Sequence, residues 1–282
     1  MQKSISIKNH KLSYTTHSEG KEKIILIHGW SSFQFFWSHI LEYIKPLGEC
    51  TTLDLMGHYP AVVPESFASF TVDELIDIQA EAIESISPDE KVTLIGHSLG
   101  GMVVLGIAGK YPHLVKKIIS ICPFASGPVD GFLYPIKLGF EFNLGGLISG
   151  LQKLILMSEN SMQMFFYLAI HNKKEFFEKK ENQEFLKQYH IEYQKLDSKI
   201  MGQYLLTVDK ADIRHLLENI LVPTQIHVGM HDQIVPKENG FEIIELIPNS
   251  ELITFENSGH TPSLEEKEKF LDTILPFLTK QE

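Results

Sequence analysis

The sequence is short of arginine and cysteine, and it has no long unbroken apolar run. Arg214 is the only arginine in 282 residues, and 25 basic against 36 acidic residues leave a net charge of −11. Such a chain lacks the broad basic face needed for general affinity to nucleic acid or an anionic membrane. The two cysteines, Cys50 and Cys122, stand in apolar, strand-like surroundings. Two isolated thiols suit packing in a reducing compartment better than a disulfide framework, so both are read as structural. The N-terminal stretch MQKSISIKNHKLSYTT lacks the apolar centre of a secretory signal, and a cytoplasmic protein is expected. The longest apolar region, Phe132 to Met157, is broken by Lys137, Glu141, Asn143, Gln152 and Lys153, short of the roughly 18 continuous apolar residues of a membrane span. Gly146 and Gly150 form a GxxxG within it, expected as a loop or close helix packing rather than a membrane dimer face. GxxxxGK[ST] and GxGxxG are missing, and His227 and His231 lack the glutamate of HExxH. Neither a nucleotide cofactor nor a bound metal is therefore expected.

What is present is a regular alternation of strands and helices, in a chain long enough for one large α/β domain. A strand pair turning at Asn9 and His10 opens the chain, and strands are expected at Ile24–Ile27, Thr51–Leu55, Val92–Ile95, Lys117–Ile121, Thr224–Val228 and Leu252–Phe255. Helices are expected at Phe36–Leu47, Thr71–Ser87, Leu99–Tyr111, Ile213–Asn219, Lys237–Leu246 and from Ser263 or Leu264 to Leu278, with Thr71 and Glu74 forming a capping box. This order calls for a mostly parallel central sheet with helices on both faces. From 124 to 208 the strand signals stop and aromatic, methionine- and lysine-rich helical segments take over. That stretch reads as an inserted helical lid, dividing the core into 1–123 and 209–282.

Ligands of such a sheet bind beyond the carboxyl ends of its strands, where this chain places Trp30, Asp54, Ser98, Asp232 and His260. Ser98 lies in VTLIGHSLGG, a short β-prone run, then G-x-S-x-G, then a helix. By composition alone G-x-S-x-G arises in roughly one chain in ten of this length; the strand before and the helix after it make it a nucleophile elbow. A serine turned so sharply needs neighbours without bulk two places either side, which Gly96 and Gly100 supply. His260 would take the proton of Ser98 and return it to the leaving group, and Asp232 would orient the imidazole. Asp232 also reads as a turn-capping aspartate, Asp54 as a loop-structuring residue and Asp130 as a second candidate acid. The backbone N–H groups of Trp30 and Leu99 are placed to hold an oxyanion. His97 should point away from the site, and His113, His171, His190 and His215 should lie exposed or packed in helical segments.

Taken together, HGW at His28–Trp30, DLMGH at Asp54–His58, GHSLGG at Gly96–Gly101, VPTQIHVGMHDQIVP at Val222–Pro236 and SGHTPSLEE at Ser258–Glu266 resemble the α/β-hydrolase superfamily over essentially the whole chain. The resemblance implies the α/β-hydrolase fold, the Ser98–His260–Asp232 triad, the Trp30 and Leu99 oxyanion hole and the lid. Serine at the elbow disfavours the dehalogenases and epoxide hydrolases, which carry aspartate there. HGW and GHSLGG are similar to carboxylesterases and to pimeloyl-acyl carrier protein methyl esterases, which are believed to grip an acidic carrier through basic lid residues. Lid lysines such as Lys137, Lys153, Lys173 and Lys174 offer charge without the bidentate fork of arginine. Ser31 and Ser32 replace the Gly-Pro turn usual in carbon–carbon bond hydrolases, and Tyr59-Pro60 replaces the glycine usual after DLMGH. The expected activity is hydrolysis of a small-molecule carboxylic ester with an apolar acyl part, through an acyl-enzyme and without cofactor. The alternatives are a carrier-protein esterase or thioesterase, and a non-catalytic small-molecule binder on the same fold.

Overall fold

The computed structural model describes residues 2–64, 69–155, 158 and 161–280, without the side chains at 132, 149 and 152–155. Phe132, Lys153 and Met157, named above in the apolar region and the lid, therefore lie outside the described side chains. Among the described residues, eight strands form one sheet in the order β1-β2-β4-β3-β5-β6-β7-β8. These are β1 (Gln2–Ile7), β2 (His10–Thr16), β3 (Lys23–Ile27), β4 (Glu49–Leu53), β5 (Val92–His97), β6 (Val115–Ile121), β7 (Thr224–Gly229) and β8 (Ser250–Phe255). β1 and β2 pair antiparallel, β2 joins β4 antiparallel, and every later pairing is parallel.

The N-terminal turn falls one residue before the expected Asn9 and His10. Lys8 and Asn9 both have positive φ, 45° and 71°, the two-residue geometry whose twist matches the flanking strands. β4 likewise starts and ends two residues before the expected Thr51–Leu55.

Side chains of β3 alternate between faces, as the period of two in a strand requires. Ile25 and Ile27 join one core cluster, Ile24 and Leu26 the other. Helices α2 (Val72–Ile86), α3 (Leu99–Lys110), α10 (Arg214–Leu217) and α11 (Glu238–Leu246) feed the first cluster through residues such as Leu75, Val103, Leu217 and Ile243. α1 (Ser38–Ile44) and α13 (Lys267–Thr279) feed the second through Ile40, Ile44, Phe270 and Ile274. The expected single C-terminal helix is in fact two: α12 (Pro262–Glu265) and α13 are separated by Glu266, whose backbone leaves the helical region.

Between β6 and α10 the described chain makes helices α4 (Tyr134–Glu141), α5 (Gly145–Ile155), α6 (Ser161–Ala169), α7 (Lys173–Glu178), α8 (Lys180–Tyr193) and α9 (Ser198–Val208), with a short 3-10 turn and one isolated bridge between Ser126 and Asp212. Phe166, Phe176, Phe185 and Tyr189 pack into the second cluster, whereas Met201 and Tyr204 of α9 pack into the first. Gly146 and Gly150 lie within α5 rather than in a loop, and a Cβ on either would meet nothing within 4 Å among the described residues. No described helix is long and apolar enough to cross a membrane.

The capping box is formed as expected: Glu74 N donates to Thr71 Oγ1 at 3.1 Å and Thr71 N to Glu74 Oε2 at 2.7 Å. Thr71→Ala removes a cap worth about 1 kcal/mol. The urea midpoint should fall by that free energy divided by the m-value, with m unchanged; an unshifted midpoint would show that α2 is held by packing alone.

Candidate active site

The chain leaves β3 to form β4 on one side and returns to form β5 on the other, so β3 and β5 are neighbours at a topological switch point, with Ile27 opposite Gly96. The crevice beyond such a point is where open α/β sheets bind ligands. Here the loop from His28 and the corner at Ser98 meet: a Cβ on Gly29 would stand 3.1 Å from Ser98 Cβ.

Ser98 occupies φ 55°, ψ −118°, left-handed territory that a residue with a side chain adopts only under constraint. Its neighbours supply that constraint. A Cβ on Gly96 would overlap the carbonyl of Gly100, and one on Gly100 would overlap the carbonyls of Ile27 and His28. The two glycines thus let strand, corner and helix stack against β3. Leu99 begins α3, and the first amides of a helix have no acceptor of their own within it. Leu99 and Trp30 line the same cavity as the serine. The Trp30 indole donates to Met201 O at 2.9 Å, tying this loop to α9.

His260 donates through Nδ1 to Asp232 Oδ2 at 2.6 Å, which leaves Nε2 as the proton-accepting nitrogen. Both side chains are nearly buried, at 7% and 1% exposure. The other Asp232 oxygen accepts from the amides of Ile234 and Val235 at 2.8 and 2.9 Å. One Asp232 oxygen thus caps the turn and the other bonds the His260 ring. Asp130, the competing acid, is exposed and accepts from Gly131 N at 2.7 Å. Asp54 is fully buried and accepts from both nitrogens of Gln34; burial raises its carboxyl pKa, opposed by His28 and Gln34. It stands 3.3 Å from His28 Nε2, while Ser31 N donates to His58 Nε2 at 3.1 Å. The DLMGH loop thereby braces the loop that carries Trp30.

The expectation that His97 points away from the site is wrong. His97 lines the cavity, donates through Nε2 to the carbonyl of His260 at 2.7 Å, and stacks on Phe36 at 4.7 Å between ring centroids. Burial, reinforced by the neighbouring His260, holds its pKa well below the ordinary histidine value, as a neutral donor requires. His171 also departs from expectation, lying between α6 and α7 with its ring stacked on His231 at 3.6 Å.

Sequence reasoning missed two carboxylates altogether. Glu265 accepts from Gly259 N at 2.9 Å and His171 N at 2.6 Å, and Glu266 from Asn257 N at 2.9 Å and Ser258 Oγ at 2.7 Å. Their only sequence signal is the SLEE that follows His260. Burial pushes the Glu265 carboxyl up from 4.5 to about 7, against the amides that favour its charged form.

Both cysteines are free and buried. The Sγ of Cys122, an Asp232 oxygen and a His260 nitrogen lie within 4.8 Å of one another. The carboxylate and imidazole are bonded to each other, and burial, with Asp232 adding to it, keeps Cys122 a thiol. The Cys122 Sγ lies 4.0 Å from the Gly259 carbonyl, so the thiol packs against the histidine loop.

Ser98, His260, Trp30 and Leu99 open onto one cavity of about 340 Å³, walled by apolar residues such as Phe124, Phe165, Phe166 and Ile234. Among the described lining side chains Asp130 is the only carboxylate, and none is lysine or arginine.

A family model described as the alpha/beta hydrolase fold matches residues 23–267. Pimeloyl-[acyl-carrier protein] methyl ester esterase of Proteus mirabilis is 24% identical over 270 residues, covering 94% of this chain and 96% of the relative. Monoacylglycerol lipase ABHD6 of Homo sapiens is 22% identical over 261 residues, covering 92% of this chain and 75% of the relative. The solved enol-lactonase of Burkholderia xenovorans superposes with a TM-score of 0.81 at 15% identity, covering 99% of this chain and 100% of the other.

Because the folded chain holds the Glu265 proton more tightly than an unfolded carboxyl does, its contribution to stability is full below about 4.5 and declines as pH rises to about 7. Glu265→Gln has no such proton. Urea midpoints of both proteins between pH 5 and 8 should show the wild type losing stability relative to the Gln variant as pH rises. A difference independent of pH would contradict the buried carboxyl.

Proposed function

Since the chain belongs to the alpha/beta hydrolase fold family, we propose that it is a serine hydrolase that cleaves a carboxylic ester with an apolar acyl part. The observation that carries this reading is the cavity shared by a serine in a strained elbow and a histidine already bonded to a buried aspartate. Ser98 Oγ attacks the ester carbonyl as its proton passes to His260 Nε2, and Asp232 stabilises the imidazolium. The negative oxygen of the tetrahedral intermediate rests on the amides of Trp30 and Leu99, where the N-terminus of α3 adds favourable potential. The intermediate collapses with loss of the alcohol, which takes the proton from His260 and leaves an acyl-serine. Water then loses a proton to His260 as it attacks the acyl carbon, and the second collapse releases the acid and returns the proton to Ser98.

The substrate class follows from the walls. A largely apolar cavity with no lysine or arginine among its described lining residues favours a neutral, hydrophobic acyl group and penalises a buried carboxylate. The segment 124–208 is proposed as the lid that supplies part of these walls through Phe165, Phe166, Ala169, Tyr189, Leu205 and Val208.

An acyl carrier protein ester is the second reading, favoured by the esterase relative of Proteus mirabilis. Nine lysines in the segment are matched by nine acidic residues, and Lys137, Lys179, Lys180 and Lys195 are engaged in ion pairs. A face so balanced does little to draw an acidic carrier.

Steady-state hydrolysis of p-nitrophenyl esters tests the proposal. Ser98→Ala should lower kcat/KM by at least about 10⁴-fold; unchanged turnover would refute the nucleophile. For the wild type, kcat/KM should rise about threefold per added methylene until the cavity is filled. A terminal carboxylate on the acyl chain should lower it by about tenfold or more. Preference for the carboxylate-ended ester, or for an acyl carrier protein ester over the free one, would overturn the substrate class.

A further inference from the structure

A histidine in a loop must be held by its own peptide groups if its ring is to serve one geometry. Around His260 those groups are held from outside the loop. Its N–H donates to Ala169 O at 2.6 Å, and its carbonyl accepts from His97. The peptide N–H groups on either side, at Gly259 and Thr261, both point to Glu265 Oε1, at 2.9 and 3.4 Å, and Thr261 Oγ1 is 3.3 Å from the same oxygen. The other oxygen of that carboxylate takes His171 N at 2.6 Å. One half-buried carboxylate thus joins two chain segments remote in sequence: the loop after β8 and the link between α6 and α7.

The junction is close. A Cβ on Gly259 would overlap the Ala169 carbonyl and stand 3.1 Å from His171 N, so only glycine lets the two backbones approach this far. The ring of His171 stacks on His231, next to Asp232 in sequence. Ala169, on the same short link, also lines the cavity beside Ser98.

We propose that Glu265 is a positioning residue that fixes the His260 loop and fastens the 169–171 link of the helical segment to it, so that seating of that segment and aim of the imidazole are a single event. The proposal rests on the reading of His260 as the general base. Glu265 touches neither substrate nor reacting atoms; it acts through the backbone. A carboxyl suits this task because four donors converge on it and each of its two oxygens can accept. Its burial raises the cost of keeping it charged, which marks it as a group retained for position rather than for stability.

The test compares wild type, Glu265→Ala, Glu265→Gln and Ser98→Ala, all as full-length chains. Hydrolysis of p-nitrophenyl butyrate and amide hydrogen exchange are measured at one pH. Glu265→Ala should lower kcat about 10- to 100-fold with KM within twofold of wild type. Exchange should quicken together at 169–171 and 259–261, while the amides of β5 stay as protected as before. Glu265→Gln keeps one carbonyl acceptor and should recover part of the lost kcat; it also carries the test if the alanine variant does not fold. A kcat within twofold of wild type in both variants would overturn the proposal. So would a loss of kcat matched by faster exchange throughout β5, which would mark a general structural role, or faster exchange in one of the two segments alone. If the wild type shows no Ser98-dependent hydrolysis, the serine hydrolase reading fails, and the paired exchange at 169–171 and 259–261 still decides whether the fastening exists.

Discussion

The site depends on a backbone contact without side chains. Gly100 packs directly against the carbonyls of Ile27 and His28, and Gly96 against the carbonyl of Gly100. With side chains there, α3 would be pushed away from β3 and the corner at Ser98 would relax from its positive φ. The contact also joins the two halves of the reaction site. β3 delivers the Trp30 amide and β5 delivers the serine, and the switch in strand order makes them neighbours. Strain at Ser98 is thereby paired with tight packing all around it: Leu94, Ile95, Val103 and Val104 are fully buried.

The opposite wall is built by hydrogen bonding. Asp232 spends one oxygen on the turn that places it and the other on His260. His97 and Ala169 hold the two polar groups of the His260 peptide, and Glu265 and Glu266 gather the amides around it. These partners are buried or nearly so, where each hydrogen bond is electrostatically stronger and each unmade one costlier than in water. The neutral His97 donor and the protonated Cys122 thiol beside Asp232 add no competing charge. Asp232 and the imidazole bonded to it thus form an electrostatic pair beside a largely apolar cavity.

Much of this was legible in the sequence because it is written locally. The alternation of β-branched runs with amphipathic segments, the Thr71–Glu74 capping box and the GHSLGG corner each depend on residues within a few positions, and each formed where expected. Boundaries were less legible: the first hairpin turns at Lys8 and Asn9, and the last helix breaks at Glu266. Least legible were contacts between distant residues. His97 meets His260 across 163 positions and Glu265 meets His171 across 94, and no local periodicity announces either. A histidine beside the serine gave no sign of which way its ring would turn, because that is set by Phe36 and the histidine loop. Asp54 and Asp232 stood in similar strand-end positions, and their hydrogen bonds differ, Asp54 accepting from Gln34 and Asp232 from His260.

The central claim is that Ser98 is a nucleophile activated by His260 rather than a corner retained in a binding pocket. Covalent labelling with a fluorophosphonate, followed by peptide mapping in the mass spectrometer, tests it most directly. One phosphonyl adduct per chain, located on Ser98 and formed at least about 100-fold more slowly in His260→Ala, is the predicted result. No adduct on Ser98, or equal labelling with and without the imidazole, would contradict it.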